Sequence, residues 1–299
     1  MKKCLGPTRR AILRMCACAI LGPPPSASRA STNFLKARHE YLLAQARLGV
    51  NVAMTGTERA LALRRMAEEL DALSMPVAAL RIINLAMRES GAVAIGRLRR
   101  TKARVLFSLG HPEQALALLG SGADEYPPVA SSQPGWPLAS FPGDLLQALL
   151  TAVFSCMQLG RWRDAIAALA NLSLHAAGAP AAYRSVIYRY IMARAGSPRL
   201  ADAGLEREAA YHARHDNTGY GLVLRLWAGA DTSSEVGRFM KGVDDAGQQE
   251  MLGRILFYMG AYLRYVRGNA EAGRSMLQNL NNVAPYGCIE WEYGRTVLS

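Results

Sequence analysis

His212 and His215 are the two side chains whose spacing comes nearest to a reactive site. They stand three apart in a helix-patterned segment, which puts both imidazoles on one face, and Asp216 follows directly. Imidazole and carboxylate are metal ligands, so the trio is a partial zinc site. A zinc site needs three or four ligands, and the remaining histidines, His39, His111 and His175, form no second cluster in the sequence. A surface or helix-capping role for the pair therefore stands ahead of a metal centre, and no metal is expected. Cys156 falls in an apolar helical segment, where a buried thiol is usually inert. No HExxH, phosphate-cradling glycine loop, GxSxG elbow or paired-cysteine zinc pattern occurs, and no cysteine and histidine stand in a catalytic order. The expectation is a chain without catalysis and without a cofactor. An enzyme with a hidden site at His212 and His215 is the remoter alternative.

Arginine is the more informative residue type. Arg97, Arg100 and Arg104 recur along one helix face, followed there by Phe107 and Ser108. The matching face one unit earlier carries Arg64, Glu68 and Asp71, and a late unit offers Arg254, Phe257, Arg264 and Tyr265. A guanidinium holds a carboxylate through two parallel hydrogen bonds. If these faces line a groove, its ligand is an acidic or extended peptide, a free C-terminus included. The open alternative is a solvated face with ordinary surface arginines. The groove reading expects Arg100→Glu with Arg104→Glu to abolish partner capture at little cost in stability.

Those faces must be positioned by helices. Strand patterning is sparse, while Ala, Leu and Arg dominate the periodic segments. With 299 residues, 51% hydrophobic and 19% charged, the chain is globular and can bury a sizeable core. Between Gly96 and Pro127, one apolar-periodic segment ends at Leu109-Gly110 and a second starts at Gln114. Ala103, Ala115 and Pro127 are spaced twelve and twelve apart. Small residues at that spacing allow two helices to cross closely, and the proline stops the second helix. Ala67 and Ala79 repeat the pair 36 residues earlier. This pattern resembles the tetratricopeptide repeat (TPR), a helix-turn-helix unit of about 34 residues.

Further turns follow at Leu159–Trp162, at Ala195–Pro198 with Ala201 as the small residue, and at Ala228–Asp231. Gly110, Gly160, Gly196, Gly229 and Gly268 serve as turn markers, with gaps of 50, 36, 33 and 39. The widest gap holds a Pro-rich insertion at 120–142 with Trp136 and Phe141, read as a structural loop. The expected fold is all-α: an N-terminal helix in 31–56, then a TPR-like helical-hairpin solenoid over 57–299. It comprises about five to six helix pairs, with Cys288–Leu298 capping the last one.

Residues 1–30 have the make-up of an export segment. Six basic residues and no acid precede Ser28-Arg29-Ala30, with an apolar stretch at Ala11–Leu21. Thr8–Arg14 also resembles a twin-arginine signal. Removing this segment brings the net charge from +12 to +6, too little to favour nucleic acid as a partner. Cys18, preceded by Met15, Cys16 and Ala17, is a weak candidate for lipidation. A disordered tail, or a start upstream of the true Met15, is the alternative.

Three blocks in the C-terminal third carry a more specific likeness. Leu226–Gly229, Phe257–Tyr262 and Glu290–Tyr293 resemble, in order and spacing, blocks of the NlpI-like family of bacterial envelope lipoproteins, which are built of tetratricopeptide repeats. The likeness weakens towards residue 145, and at repeat level reaches residue 58. It fails at the lipid site and in the Pro-rich insertion. The resemblance implies a non-catalytic adaptor in the periplasm or on the periplasmic face of the outer membrane, often a homodimer, that brings proteases and peptidoglycan hydrolases together. The alternative is a cytosolic TPR co-chaperone or secretion chaperone.

Overall fold

A computed structural model describes residues 33–89, 95–120, 143–173, 179–240 and 243–299. The export segment 1–30 with Cys18, and residues 121–142 of the insertion with Trp136 and Phe141, lie outside the described residues. Among the described residues all regular structure is helical, and no helix is long and apolar enough to cross a membrane.

The chain runs through α1 (Phe34–Val52), α2 (Gly56–Ala72), α3 (Pro76–Glu89), α4 (Ile95–Ser108) and α5 (Pro112–Gly120). It continues through α6 (Gly143–Gln158), α7 (Trp162–Ser173), α8 (Ala179–Ala195) and α9 (Ala203–His215). The last third holds α10 (Gly219–Trp227), α11 (Ser233–Met240), α12 (Ala246–Ala261), α13 (Ala270–Val283) and α14 (Ile289–Val297). Helices adjacent in sequence pack on one another as hairpins, except α11 with α12. The first helix of one hairpin also touches the first helix of the next, as α2 with α4 and α4 with α6. The molecule is a helical-hairpin solenoid.

Local sequence explains the hairpins. Thr55 and Glu58 form a capping box at the start of α2, each side chain bonding the other's backbone N–H at 3.2 and 3.1 Å. Pro76 and Pro112 occupy first helical positions, where a missing N–H costs nothing. Four hairpins turn by the same pair of bonds: Ser74 and Met75, Gly110 and His111, Gly160 and Arg161, and Gly229 and Ala230 donate to carbonyls three and five residues back. That turn needs a left-handed residue. All five marker glycines have φ between 59° and 92°, while Ser74 adopts φ 61° in the first hairpin, where no glycine is available.

The small-residue register holds where the crossings are close. Ala67, Ala79, Ala103, Ala115 and Ala165 are fully buried. Ala201 does not belong to it, because it lies exposed between a short 3-10 turn and α9, and Ala209 fills the close crossing instead. At the crossing of α12 with α13 even alanine is too large. A Cβ on Gly260 would lie 2.9 Å from the Met276 Cβ.

Two features depart from an open solenoid. First, its ends meet. Asn33 donates to the Ala284 carbonyl at 3.0 Å, and the Leu35 N–H donates to Gln249 of α12 at 3.0 Å. Second, α14, expected to cap the last hairpin, packs on both helices of that hairpin and also reaches inside the array. Ile289, Glu290, Trp291, Tyr293, Gly294 and Val297 are all buried. A helix covered on nearly every side must lie inside, and α14 packs against α12, α13 and α6 while its side chains reach α4 and α8. Phe154 meets Tyr293 edge-on at 5.3 Å, and Tyr190 bonds the Tyr293 hydroxyl at 3.1 Å.

Candidate functional site

The concave positions of α2 and α4 do converge. Arg64, Glu68, Glu69 and Asp71 of α2 face Arg100, Thr101 and Arg104 of α4 across a cleft of about 430 Å³. His39 of α1, Gln147 of α6 and Gly287, before α14, complete its walls. Helical spacing accounts for the two main walls, since residues three, four and seven apart share a face.

The cleft is densely paired. Arg64 donates to Glu68 at 2.5 Å, and the Thr101 hydroxyl donates to the same carboxylate oxygen at 2.8 Å. His39 Nδ1 lies 2.7 Å from Glu69. At the bottom, Arg104 is 8% exposed and Asp71 3%. Arg104 donates to Glu292 of α14 at 2.6 Å, and its Nε lies 3.8 Å from Asp71. Ser108 Oγ lies 3.0 Å from Asp71 and 3.1 Å from Glu292. Burial, and then the Glu292 charge, push the Asp71 carboxyl up to about 7 against the pull of Arg104 and Ser108. Burial alone would lower the Arg104 guanidinium, and the charges of Glu292 and Asp71 more than offset that, so it is raised.

A second buried charge cluster lies on the opposite face of α14. Glu290 is fully buried and accepts from the Tyr183 hydroxyl at 2.5 Å, the Tyr258 hydroxyl at 3.2 Å and the Cys288 thiol at 3.1 Å. Arg254 Nε lies 3.8 Å from it, and Arg254 also donates to Glu250 and to the Tyr220 hydroxyl. Burial first, then the Glu290 charge, raise Tyr183, Tyr258 and Cys288 well above their ordinary values. These groups are held neutral and bonded.

The expected arginine set therefore divides. Arg64, Arg100 and Arg104 line the cleft. Arg97 is exposed at the start of α4, outside it. Phe107 is buried against Phe154 at a centroid distance of 6.5 Å and presents nothing to a ligand. Arg254 is committed to Glu250 and Tyr220, and Arg264 donates to the carbonyl of Ser299 at the chain end. The acidic peptide that the arginine pattern anticipates is present within the chain. It is α14, with Glu292 on Arg104 and Glu290 near Arg254. Two residues apart on a helix, these carboxylates point in nearly opposite directions, so each reaches its own arginine. The expectation that Arg104→Glu is harmless falls here, because reversal would bury a third carboxylate beside Asp71 and Glu292.

The other candidates make local contacts. His215 Nδ1 lies 2.9 Å from the Tyr211 carbonyl, its ring stacked on Tyr211, and His212 lies 3.8 Å from Asp216. An Asp216 oxygen accepts the Thr218 N–H at 2.7 Å. Among the described residues no group of three metal-ligating side chains comes together. Cys156 and Cys288 are buried free thiols. Sequence reasoning missed Glu290 and Glu292 as the partners of the groove arginines. Their signal was available as two acids alternating with Ile289, Trp291 and Tyr293 at the start of the final helix.

The class these observations define is an all-α helical-hairpin solenoid closed around its own last helix. No family model matches the chain, and no curated protein matches its sequence.

Proposed function

We propose that this chain is a non-catalytic adaptor that binds partner proteins, acting in the bacterial cell envelope. One observation carries the reading: a stacked helical scaffold holds a preformed polar cleft between the first helices of consecutive hairpins. A preformed surface lowers the ordering cost of capturing an extended or helical segment. Stacking also fixes that surface without any catalytic group, since each hairpin buries its apolar face on its neighbours. The envelope location, and proteases or peptidoglycan hydrolases as partners, rest on the basic, apolar and small-residue make-up of residues 1–30 and on the resemblance of the C-terminal blocks.

The test combines location with contact. A photo-crosslinking amino acid is placed at Arg97, exposed beside the cleft, and at Tyr211, an exposed control on α9. In the native host, reproducible crosslinks to an envelope protease or hydrolase at Arg97 but not at Tyr211 support the adaptor reading. Equal crosslinking at both positions, or none, would overturn it. The mass of the N-terminal peptide, with cell fractionation, decides the compartment. Cleavage near Ala30 or a lipid on Cys18 supports the envelope, whereas an intact Met1 in the cytosol leaves the intracellular chaperone reading.

A further inference from the structure

The cleft between α2 and α4 has walls of opposite sign. The α2 wall carries Glu68, Glu69 and Asp71 beside Arg64, whereas the α4 wall carries Arg100 and Arg104 and no acid. At about 430 Å³ the cleft lies within the range of small-ligand pockets, roughly 300 to 1,000 Å³. A simple anion entering it meets the carboxylates of α2, and a simple cation meets the guanidiniums of α4. A molecule bearing both charges is matched on both sides.

A second observation is independent of wall charge. The buried polar atoms of this cleft without a hydrogen-bond partner include Asp71 Oδ1, an acceptor, and Arg64 Nε, a donor. Asp71 is 3% exposed. An unsatisfied buried polar group costs about 1–3 kcal/mol. An ammonium answers the first atom and a carboxylate the second.

We propose that this cleft binds a small zwitterion, either a free amino acid or a short peptide with both ends unblocked, its ammonium directed to Asp71 and its carboxylate to Arg64 and the α4 arginines. The cleft is the one on which the adaptor reading rests, and the two fail separately, since protein capture is read by crosslinking and small-ligand binding by calorimetry. Asp71 also gives the binding a signature. Its carboxyl is faced by Arg104 and Ser108 from α4 and by Glu292 from α14, while His39 of α1 is engaged with Glu69 and α6 contributes the uncharged Gln147. With that carboxyl held up to about 7, an arriving ammonium favours the ionised form, so binding at neutral pH releases a proton.

The experiment is titration calorimetry on the full chain at pH 7, with alanine, alanyl-alanine, N-acetyl-alanyl-alanine and alanyl-alanine amide as probes. Binding of alanine or alanyl-alanine is expected, and which of the two binds tells amino acid from peptide. Each end-blocked dipeptide should bind at least about tenfold more weakly than the better zwitterion. The heat should vary with the ionisation enthalpy of the buffer, reporting the released proton. Asp71→Asn and Arg64→Met should each weaken binding about tenfold with the helical signal retained. The proposal is overturned if neither zwitterion binds at millimolar concentration, or if blocking an end leaves affinity unchanged. The blocked-peptide comparison uses the wild-type chain, so it decides the matter even if a variant fails to fold.

Discussion

Ser108 has one hydroxyl proton to donate, and carboxylate oxygens of Asp71 and Glu292 lie 3.0 and 3.1 Å from it. Arg104 sits nearer Glu292, at 2.6 Å, than Asp71, at 3.8 Å. Burial, and then the Glu292 charge, raise the Asp71 carboxyl from an ordinary 3.8 to about 7, and the more distant Arg104 and the shared Ser108 hydroxyl offset them only in part. An acid with a raised folded pKa binds more protons folded than unfolded between those two values. Stability is then greatest below about pH 4 as far as this group is concerned, and is lost as pH rises towards 7. Asp71→Asn cannot ionise. It should flatten that part of the stability-against-pH curve and raise stability at pH 8 by roughly 1–2 kcal/mol. Urea denaturation from pH 4 to 8 checks this, and parallel curves for the two proteins would refute it. The effect belongs to one residue because the neighbouring bonds exist in both proteins.

Among the elements, α14 has a burden unlike the others. It is nine residues long and buries Ile289, Trp291, Tyr293 and Val297. Fully burying side chains of that kind is worth about 1.5–3 kcal/mol each, and the same helix carries the buried Glu290 and the half-buried Glu292 to two arginines. Its place inside the solenoid is set by both. Glu290→Leu tests the charge. It leaves Arg254 without its buried counter-charge and Tyr183, Tyr258 and Cys288 without their acceptor. Breaking a buried pair from one side costs about 3–5 kcal/mol, so Glu290→Leu should lower the midpoint of thermal unfolding by several degrees. Glu290→Gln keeps an acceptor for the hydroxyls and should cost less. Equal midpoints for Leu and Gln would mean that shape, not bonding, holds α14.

For the molecule as a whole the question is whether the solenoid acts as a line or a ring. An open array loses its end units first, because each unit touches only its neighbours. Here Gln249 of α12 joins the two ends. It accepts the Leu35 N–H at 3.0 Å and donates to the Val283 carbonyl at 2.8 Å. Gln249→Ala removes both bonds and leaves the buried Leu35 N–H unpaired, at roughly 1–3 kcal/mol, while the Val283 carbonyl keeps Asn33 at 3.4 Å. In hydrogen exchange, the amides of α1 should then exchange faster, with those of α6 and α7 little changed. Uniform acceleration would show that the whole chain opens as one unit.

The helices, their hairpin pairing and their turns were legible in the sequence, because they rest on interactions between residues a few positions apart. Twelve-residue spacing of alanines, prolines at first helical positions and glycines at left-handed turns act within a single hairpin. Where that local logic lapsed, as at Ala201, the 3-10 turn had shifted the register. The convergence of Arg64, Arg100 and Arg104 with Glu68 and Asp71 was also legible, since one helical period generates each wall. What fills the concave face was not. Arg104 and Glu292 are 188 residues apart, and Tyr183 and Glu290 are 107 apart. No periodicity links residues at such separations. The sequence by itself determined a helical-hairpin array with arginines on its concave side. Only the tertiary structure decided that the last helix would enter that concavity, where burying Ile289, Trp291, Tyr293 and Val297 carries Glu290 and Glu292 inward and requires each of them to find an arginine.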